Sequence, residues 1–331
     1  MSILVTGGLG YIGSHVSVTL IEKGHDIIIL DDLSNSKKEV LISISKISGT
    51  VPKFYQSSLL DVGMVRNIFI ENNVSSVIHL AGLKSITESF YDPLKYYYHN
   101  LNSTTNLLHV MSEFGVSNLI FSSSASVYGE EENSPLFENF KKNPSNVYSK
   151  SKSIIEDICF DISHANSNWS IVSLRYFNPI GAHRSRLLGE NPRTPATNIM
   201  PLILSVARAK RDYLEIYGSD YPTNDGTCIR DFVHVSDLAE GHLAALNYSQ
   251  ANNGYVAINL GTGFGISILE LVKTFAYSTG TKIPTKFSGR RKGDLAIVYA
   301  SAEKALKLLG WKSSRSLEEM CIDSFNSLQM K

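Results

Sequence analysis

A tyrosine and a lysine in the stretch YSKSK stand four residues apart, at Tyr148 and Lys152. On a helix this spacing puts the phenol and the amine on one face, one turn apart. A free tyrosine has a pKa of about 10 and is almost fully protonated at neutral pH. A neighbouring ammonium stabilises the phenolate and lowers that pKa. The pair therefore predicts a tyrosine that takes a proton from a bound hydroxyl group.

The serine-rich stretch FSSSASVYG follows a predicted strand and supplies a third polar group. Ser124 falls at the carboxyl end of that strand, where open α/β sheets bind their ligands. Serine, tyrosine and lysine together would form a proton relay. The alternative for the tyrosine and lysine alone is a surface helix that buries a tyrosine, because this spacing is common by chance. The serine favours the chemical interpretation.

A glycine-rich stretch near the amino end, LVTGGLGYIGSH, accommodates two motifs. Gly8, Gly10 and Gly13 give G-x-G-x-x-G, and Gly7 with the last two gives G-x-x-G-x-x-G. The stretch follows a predicted strand and opens a predicted helix over residues 11–23, which is the context of a dinucleotide-binding loop. Glycines let the backbone approach a pyrophosphate, and the helix supplies free N–H groups. An ordinary tight turn is the alternative.

An acidic residue supports the nucleotide interpretation, because Asp31 ends the second predicted strand, 18 residues after Gly13. A carboxylate there accepts hydrogen bonds from both ribose hydroxyls and repels a 2′-phosphate, so NAD is favoured over NADP. Lys37 and Lys38 are the counter-argument, but we interpret them as a solvated helix start. A nicotinamide beside the serine, tyrosine and lysine predicts hydride transfer at a carbinol.

These groups need a scaffold, and the first half of the chain alternates short β-branched runs with helical stretches. Most of the runs are apolar almost throughout, as in strands covered on both faces. They are residues 2–6, 26–30, 75–82, 118–124 and 170–177. The long connections between them suit right-handed crossovers. The predicted fold class is α/β, a doubly wound parallel (Rossmann) sheet.

The pattern changes after about Asn178, where a stretch rich in proline, glycine and polar residues reads as loop. We predict an NAD-binding Rossmann domain at residues 1–178 and a smaller mixed substrate lobe at residues 179–331. The S-x-x-E spacings at residues 267–270 and 316–319 predict helix starts. The cleft between the two parts is the expected ligand site.

The composition excludes several classes of partner. Lys+Arg and Asp+Glu both number 31, so nothing favours nucleic acid or an anionic membrane. Cys159, Cys228 and Cys321 lie far apart without a zinc-binding spacing, which predicts small buried thiols in a reducing compartment. No signal peptide follows Met1, and no apolar run approaches a membrane span. We expect a cytoplasmic protein with no metal site.

Several long motifs occur in the order typical of the extended short-chain dehydrogenase/reductase superfamily. They are VTGGLGYIGSH, VIHLAGLK, FSSSASVYG, YSKSK, LRYFNPIGAH, DYPTNDGTCIRDFVHVSDLA and GRRKGDL. Nearly end to end, the chain most closely resembles the UDP-glucose 4-epimerase family within it. The resemblance implies a UDP-sugar substrate and tightly bound NAD. It also implies a mechanism: C4 is oxidised, the 4-keto sugar rotates, and the hydride returns to the other face.

The resemblance also implies site residues, with Ser124, Tyr148 and Lys152 as the catalytic group. The implied NAD contacts are Gly7, Gly10, Tyr11, Ile12, Gly13, Asp31, Asn35, Ser36, Ser58, Leu80, Ala81, Lys84, His99, Ser124, Tyr148, Lys152 and Phe177. The implied UDP-sugar contacts are Lys84, Ser124, Tyr148, Asn178, Asn198, Ile199, Tyr217, Arg230, Phe232, Arg291, Asp294 and Val298. The arginines suit a pyrophosphate, because a guanidinium pairs bidentately with phosphate oxygens.

Three positions depart from the usual pattern of that family. Ser58 replaces an aspartate near the adenine, and Phe232 replaces a tyrosine. His99 replaces the first member of an Asn-Asn pair, whose second member Asn100 is kept. Sequence drift is the simplest interpretation of all three. We expect the first and third to bear on cofactor affinity and not on the chemistry.

Val298 bears on substrate choice. Four residues after Asp294, members restricted to glucose and galactose carry a tyrosine beside the sugar's 2-substituent, and members that also take N-acetylated sugars carry a smaller residue. Packing an N-acetyl group against a tyrosine would cost about 1–3 kcal/mol. Valine removes that obstacle, so we predict that UDP-GlcNAc and UDP-GalNAc are accepted as well. A strict UDP-glucose 4-epimerase is the alternative.

Other functions stay open. An NAD-dependent sugar-nucleotide dehydrogenase that releases NADH is the main enzymatic alternative, and a non-catalytic NAD-sensing protein is the binding alternative. Sister dehydratases and decarboxylases carry an acidic residue where this chain has Ala125 and Ser126, so C5–C6 elimination lacks an obvious acid or base. Helices expected around residues 93–113 and 148–165 resemble those of a dimer interface, which predicts a homodimer, with intramolecular core packing as the alternative.

Overall fold

The structure is a computed structural model that describes residues 1–131, 133–191, 198–291 and 293–327. Its first elements are β1 (Ser2–Thr6), α1 (Tyr11–Glu22), β2 (Asp26–Asp31), α2 (Glu39–Ser48), β3 (Lys53–Gln56), α3 (Val62–Glu71), β4 (Val74–His79), α4 (Ile86–Tyr91), α5 (Pro93–Glu113), β5 (Asn118–Ser124), a 3₁₀ turn (Ala125–Tyr128), α6 (Val147–Ala165) and β6 (Ser170–Tyr176). The remaining elements are β7 (Asn178–Ile180), α7 (Ile199–Ala207), β8 (Leu214–Tyr217), β9 (Ile229–Arg230), β10 (Phe232–His234), α8 (Val235–Ala251), β11 (Gly254–Leu260), β12 (Ile266–Ser267), α9 (Ile268–Thr279), β13 (Thr285–Ser288), β14 (Ile297–Val298), α10 (Glu303–Leu309) and α11 (Leu317–Asn326).

The main sheet of the described residues has the strand order β11-β6-β5-β4-β1-β2-β3. Every neighbouring pair in it is parallel. The chain progresses outward from β1 in both directions, so the order reverses between β1 and β4, where open α/β sheets form a ligand crevice. The prediction of a doubly wound parallel sheet is confirmed. The sequence analysis missed two of its strands, β3 at one edge and β11 at the other.

Alternate residues of the central strands supply the two hydrophobic layers that cover the sheet. Ile3 and Val5 belong to one buried cluster with α1, α2 and α8, whereas Leu4 belongs to another with α3, α5 and α6. This alternation follows from the two-residue period of a strand. Because both faces are covered, the central strands are apolar nearly throughout.

The chain beyond β6 contributes to both parts of the fold. Short strands pair as β7 with β10, β8 with β13, and β9 with β12 and β14, and a separate cluster with α7, α9 and α11 packs beneath them. However, α8 packs on α1 and β11 joins the main sheet beside β6. The division at residue 178 stays a prediction. Both α8 and β11 come after residue 178 in the chain but pack with elements of the predicted Rossmann domain.

Local signals in the sequence are found where they were predicted. The Ser267 hydroxyl accepts a hydrogen bond from the backbone N–H of Glu270 and begins α9. Ser316 and Glu319 form a reciprocal capping box at the start of α11. The three cysteines are free and buried, and Lys37 and Lys38 are exposed just before α2. Within the described ranges, no helix has the length and apolar character required to cross a membrane.

Candidate active site

The glycine loop between β1 and α1 is packed so closely that side chains would not fit. Gly7 has φ +68°, and a Cβ on it would lie 2.8 Å from the backbone nitrogen of Ala81. A Cβ on Gly13 would lie 2.1 Å from the carbonyl oxygen of Gly7. No side chain of the described part of the chain caps the start of α1 at Gly10. The backbone therefore leaves a cradle whose N–H groups suit a pyrophosphate.

Asp31 is held beside this loop by three donors. Its carboxylate accepts hydrogen bonds from Leu9 N at 3.0 Å, Leu33 N at 3.0 Å and the Ser36 hydroxyl at 2.7 Å. Burial raises the pKa of Asp31, and the hydrogen bonds act in the opposite direction. A fixed carboxylate at the end of β2 matches the role predicted for it toward a ribose. The neighbouring Asn35 is exposed.

The loop after β4 lies against the glycine loop. The backbone nitrogens of Leu80 and Ala81 donate to the backbone oxygen and hydroxyl of Thr6 at 3.1 and 3.3 Å. Asn100 ties the continuation of this loop to α5, because it exchanges two hydrogen bonds with the backbone of Leu83. His99 instead lines a surface groove together with Tyr98 and its neighbours. Asn100 thus holds the loop after β4, and the contact of His99 with the cofactor stays a prediction.

Lys152 and Tyr148 lie on one face of α6, against the carboxyl end of β5. Lys152 is 4% exposed and donates to the Ser122 carbonyl oxygen at 2.7 Å. Burial lowers the pKa of Lys152 to about 8, and the nearby Glu156 carboxylate opposes this shift. Burial raises the pKa of Tyr148, and a hydrogen bond to Ser124 opposes it. The serine, tyrosine and lysine that the sequence singled out are thus brought together.

A second serine extends this group. The Ser126 hydroxyl donates to the Ser124 hydroxyl oxygen at 2.9 Å, and Ser124 also accepts from the Ser126 backbone nitrogen at 3.2 Å. The hydroxyls of Ser126 and Ser124 and the phenol of Tyr148 therefore form a chain of hydrogen-bonding groups. From the sequence, Ser126 is notable only because related dehydratases and decarboxylases carry an acidic residue in this region. The 3₁₀ turn after β5 places the Ser126 hydroxyl beside Ser124.

Among the predicted UDP-sugar contacts, Asp294 lies between two arginines. Arg291 Nε is 3.0 Å from one carboxylate oxygen, and Arg230 Nη2 is 3.7 Å from the other. Arg230 also donates to the carbonyl of Leu295 at 2.9 Å, while the Arg291 guanidinium lies 5.0 Å from the centre of the Tyr217 ring. The two guanidinium groups therefore stand together as a cationic pair that suits an anionic ligand.

Glu190 lies between two predicted site residues, and no motif in the sequence predicts it. Its side chain is 7% exposed, and its Oε1 accepts from Asn198 Nδ2 at 2.8 Å and lies 3.6 Å from Lys84 Nζ. It therefore connects one predicted cofactor residue with one predicted substrate residue. Its only sequence signal is an acid within a loop, which is too weak to predict a site. Ile199 follows Asn198 as the first residue of α7.

A small apolar cluster packs around the 3₁₀ turn that follows β5. Phe177 belongs to a buried cluster with Val127, and Val298 packs against this cluster. Tyr299, the next residue after Val298, faces the opposite way, because a Cβ on Gly265 would lie 3.3 Å from the Tyr299 ring. An aromatic side chain is thus adjacent in sequence but turned away from the phenylalanine.

Four further predicted contacts have ordinary structural surroundings. The Ser58 hydroxyl accepts from the backbone nitrogen of Leu60 at 3.2 Å. Asn178 donates its backbone N–H to Asp231, and Ile12 packs against the core cluster that contains α1. Phe232 is 2% exposed within the cluster beneath the small strands, so its ring belongs to the core. Their ligand contacts stay predictions.

These residues fit a dinucleotide. The cradle that a Cβ would fill and the carboxylate at the end of β2 suit a pyrophosphate and a ribose, respectively. Over the described part of the chain, no group of three or more histidine, cysteine, aspartate or glutamate side chains is arranged to hold a metal ion. The serine of the proton relay ends β5 of the main sheet, whose strand β1 leads into the glycine loop. Of the arginine pair, Arg230 lies on β9 of the small three-stranded sheet.

Comparisons with known proteins agree with this geometry. Residues 3–261 match the model of the NAD dependent epimerase/dehydratase family. The UDP-glucose 4-epimerase of Bacillus subtilis is 48% identical over 325 residues, which cover 98% of this chain and 96% of that relative. The chain belongs to this family and, within it, to the UDP-glucose 4-epimerases. The family resemblance, the assignment as an enzyme and the assignment of NAD as cofactor are confirmed.

Solved structures extend the similarity to the fold. The UDP-glucose 4-epimerase of Stenotrophomonas maltophila, solved with NAD and formylated UDP-arabinopyranose, matches with a TM-score of 0.97 and 40% identity, covering 99% of this chain and 97% of that one. The UDP-Glc/GlcNAc 4-epimerase of Campylobacter jejuni matches with a TM-score of 0.87 and 35% identity, covering 98% of each chain. The predicted fold class is therefore also found in these family members.

Proposed function

We propose that the chain interconverts UDP-glucose with UDP-galactose, and UDP-GlcNAc with UDP-GalNAc, by inverting the configuration at C4. The observation that carries this proposal is the meeting of Ser124, Tyr148 and Lys152 at the carboxyl end of β5, in the same sheet whose strand β1 leads into the glycine loop. A hydroxyl relay beside a nucleotide cradle supports oxidation and reduction of a carbinol. The pair of Arg230 and Arg291 supports a substrate with a pyrophosphate.

The relay residues have separate tasks in this reaction. Bound NAD would supply the hydride acceptor and donor that the reaction needs at C4. Tyr148 accepts the proton of the C4 hydroxyl and later returns it, and Ser124 hydrogen-bonds the phenol and the reacting oxygen. The Lys152 ammonium stabilises the phenolate. Gly7, Gly13 and their neighbours would hold the pyrophosphate of the cofactor, with Asp31 at its ribose.

In this proposal, Arg230, Arg291 and Asp294 bind the nucleotide part of the substrate. An epimerase must let the oxidised sugar rotate within the site without releasing it, so the nucleotide part of the substrate has to be bound firmly. Arginines on a pyrophosphate give charge-assisted hydrogen bonds, which are roughly twice as strong as neutral ones. Asp294 contacts both guanidinium groups and so orients them. The sugar is then free to rotate about the pyrophosphate link.

Acceptance of N-acetylated sugars rests on Val298. Its side chain packs against the cluster that contains Phe177 and Val127, and the Tyr299 ring lies near Gly265. A tyrosine at position 298 would occupy the volume that an N-acetyl group needs. The similarity to the Campylobacter jejuni UDP-Glc/GlcNAc 4-epimerase is compatible with this broader range.

The test is to compare turnover of UDP-GlcNAc and UDP-glucose by wild type, Val298→Tyr and Val298→Ala. We expect Val298→Tyr to lower kcat/KM for UDP-GlcNAc by about 10- to 100-fold relative to UDP-glucose, which corresponds to about 1–3 kcal/mol of overpacking. Val298→Ala keeps the volume open and controls for disturbance of β14. Turnover of UDP-glucose alone by the wild type would leave a strict UDP-glucose 4-epimerase as the function.

Cofactor content separates the epimerase from a dehydrogenase. The purified epimerase should retain NAD and produce no net change in absorbance at 340 nm during turnover. A dehydrogenase would need added NAD and would release NADH in proportion to product. Accumulation of NADH in solution would therefore exclude the proposed function.

We also propose a homodimer through α5 and α6, in a cytoplasmic protein. On α5, Tyr96, Leu107 and Met111 are fully buried in the core of the chain itself, so the alternative of core packing holds for these three residues. Leu94 and Phe160 are exposed on the two helices, at 80% and 47%, and support a contact. Light scattering of the purified protein tests the stoichiometry, and a monomer at all concentrations would contradict it.

A further inference from the structure

Three residues of α6 meet three consecutive serines at the end of β5. Tyr148, Lys152 and Glu156 follow one another at intervals of four residues, so they share one helix face. Their partners are the Ser124 hydroxyl for Tyr148, the Ser122 carbonyl at 2.7 Å for Lys152, and the Ser123 hydroxyl, which donates to Glu156 Oε1 at 2.6 Å. The first two contacts belong to the relay, and the third has no role in it so far.

Glu156 is a buried charge that the structure fixes firmly. Its side chain has no exposed surface, and Arg175 on β6 donates to both of its carboxylate oxygens at 2.9 and 2.7 Å. Lys142 Nζ lies 3.6 Å from Oε2. A carboxylate bonded at both oxygens inside a protein keeps a single orientation. The Ser123 hydroxyl therefore meets an acceptor that does not move.

Arg175 is itself tied to neighbouring segments. Its guanidinium donates to the Tyr128 hydroxyl at 2.9 Å and to the Glu138 carbonyl at 3.2 Å. The Tyr128 hydroxyl in turn donates to Asn259 on β11 at 2.7 Å. The network thus connects α6 with β5, β6 and β11 at the end of the sheet where the relay lies.

We propose that Glu156 is a positioning residue for the relay: locked by Arg175, it holds Ser123, and its negative charge stabilises the Lys152 ammonium one turn away. Holding Ser123 places the Ser122 carbonyl and the Ser124 hydroxyl that flank it in the strand. The carboxylate does not touch substrate or cofactor in this role. The proposal rests on the proposed 4-epimerase function for its kinetic consequences.

The charge effect depends on every group that faces the two residues. Facing Lys152 are Glu156 and Tyr148 on α6, Ser122 and Phe121 on β5, and His79 on β4. Facing Glu156 are Arg175 on β6, Lys142 before α6, Ser123 on β5, Cys159 on α6 and Tyr255 on β11. Glu156 opposes the burial that lowers the pKa of Lys152 to about 8. Its neutralisation should therefore lower this pKa further.

Ser123→Ala tests the positioning contact while it keeps the Glu156–Arg175 ion pair. We expect kcat for UDP-glucose to fall about tenfold with KM nearly unchanged, because small displacements of a relay are costly to the rate. The pH profile should not move, since no charge is removed. Ser76→Ala on β4 is the matched control, because that buried hydroxyl has no hydrogen-bond partner among the residues that the structure describes. It should leave kcat within about twofold of wild type.

The double substitution Glu156→Gln with Arg175→Gln tests the charge. Removing the glutamate alone would leave a buried unpaired arginine and endanger folding, whereas removing both charges is often tolerated. The glutamine amide oxygen still accepts from Ser123. We expect the alkaline limb of the kcat profile to move to lower pH by about one unit, because the Lys152 ammonium loses its nearby counter-charge. Thermal unfolding checks that the double variant is folded.

A direct measurement is independent of activity. ¹³Cε-labelled lysine NMR, with the Lys152 signal assigned by its loss in Lys152→Met, should give a lower titration midpoint in the double variant than in wild type. Unchanged kcat in Ser123→Ala, or an unchanged Lys152 midpoint in the folded double variant, would overturn the proposal. If the wild type does not epimerise UDP-glucose, the proposed function fails, while the Lys152 midpoint still tests the effect of Glu156.

Discussion

The predicted cofactor contacts and the predicted substrate contacts, here the cofactor side and the substrate side, are held in different ways. On the cofactor side, Asp31 and Lys152 are only 7% and 4% exposed, and protein groups already hold them in place. On the substrate side, the side chains of Arg230 and Arg291 are 16% and 56% exposed and share one carboxylate. The cofactor side is thus organised before any ligand arrives, and the substrate side has room to rearrange.

The lengths of the supporting elements explain this difference. The cofactor side rests on the main parallel sheet, whose strands β5 and β6 each have seven residues. The arginines rest on β9 and on the segment before β14, and these strands have two residues each. Preorganised groups favour tight, lasting binding. A tightly retained cofactor and an exchanging substrate are what an epimerase requires.

The largest expected effect concerns stability in acid, and it belongs to the cofactor side. Burial lowers the pKa of His15 and His79 to about 3 and that of His242 to about 4. The folded state therefore binds fewer protons than the unfolded state once the pH falls below about 6.5. Stability is lost as the pH falls toward these folded-state values. With three such groups, the slope reaches about 4 kcal/mol per pH unit.

Denaturant unfolding between pH 7 and pH 4.5 measures this slope. His242→Gln should reduce it by about one third, because one proton fewer is taken up on unfolding. A slope that stays flat over this range would contradict the burial of neutral histidines on the cofactor side.

The next effect is on the chemical step. Tyr148→Phe should lower kcat by about 10³-fold, because the proton acceptor for the C4 hydroxyl is lost. NAD content should stay at the wild-type level, since the glycine loop is untouched. Tyr255→Phe is the control, because it removes a phenol from the amino end of β11, a strand that contacts α6 through Phe160; its kcat should stay near wild type. Undiminished epimerisation by Tyr148→Phe would remove the basis of the proposed function.

Preorganisation of the cofactor side is tested at Gly13. The added methyl group of Gly13→Ala would collide with the Gly7 carbonyl oxygen, 2.1 Å from the Cβ position. The loop must then shift, and we expect NAD affinity to fall by about 100-fold, or about 3 kcal/mol. Gly63→Ala in α3 is the control, since its Cβ meets Asp61 at an ordinary 3.4 Å. Isothermal titration calorimetry of the apoprotein with NAD measures the affinity of both variants. Equal NAD affinities in Gly13→Ala and Gly63→Ala would show that the glycine loop accommodates a methyl group.

The smallest effect is expected on the substrate side. Arg291→Gln removes one charge from a pair that can rearrange, so KM for UDP-glucose should rise about tenfold with kcat nearly unchanged. Arg290→Gln is the control, because that exposed neighbour pairs with Asp220 instead. A lower kcat with an unchanged KM in Arg291→Gln would mean that the substrate side is as preorganised as the cofactor side.

The sequence by itself determined the features that depend on short spacing along the chain. The glycine loop, the tyrosine and lysine one helical turn apart, and the capping box at Ser316 are each set by residues within a few positions of one another. Such spacings translate directly into geometry, because a strand and a helix have fixed repeats. For the same reason, the apolar strands predicted the parallel sheet.

Only the tertiary structure decided which distant residues meet. The ion pair of Glu156 with Arg175, the contact of Asn100 with Leu83, and the burial of Glu190 depend on strand order and on how α5 and α6 lie on the sheet. The Tyr11 hydroxyl donates to the Gly181 carbonyl 170 residues away. Such contacts leave no local pattern, because strand order and packing set them, and spacing along the chain does not.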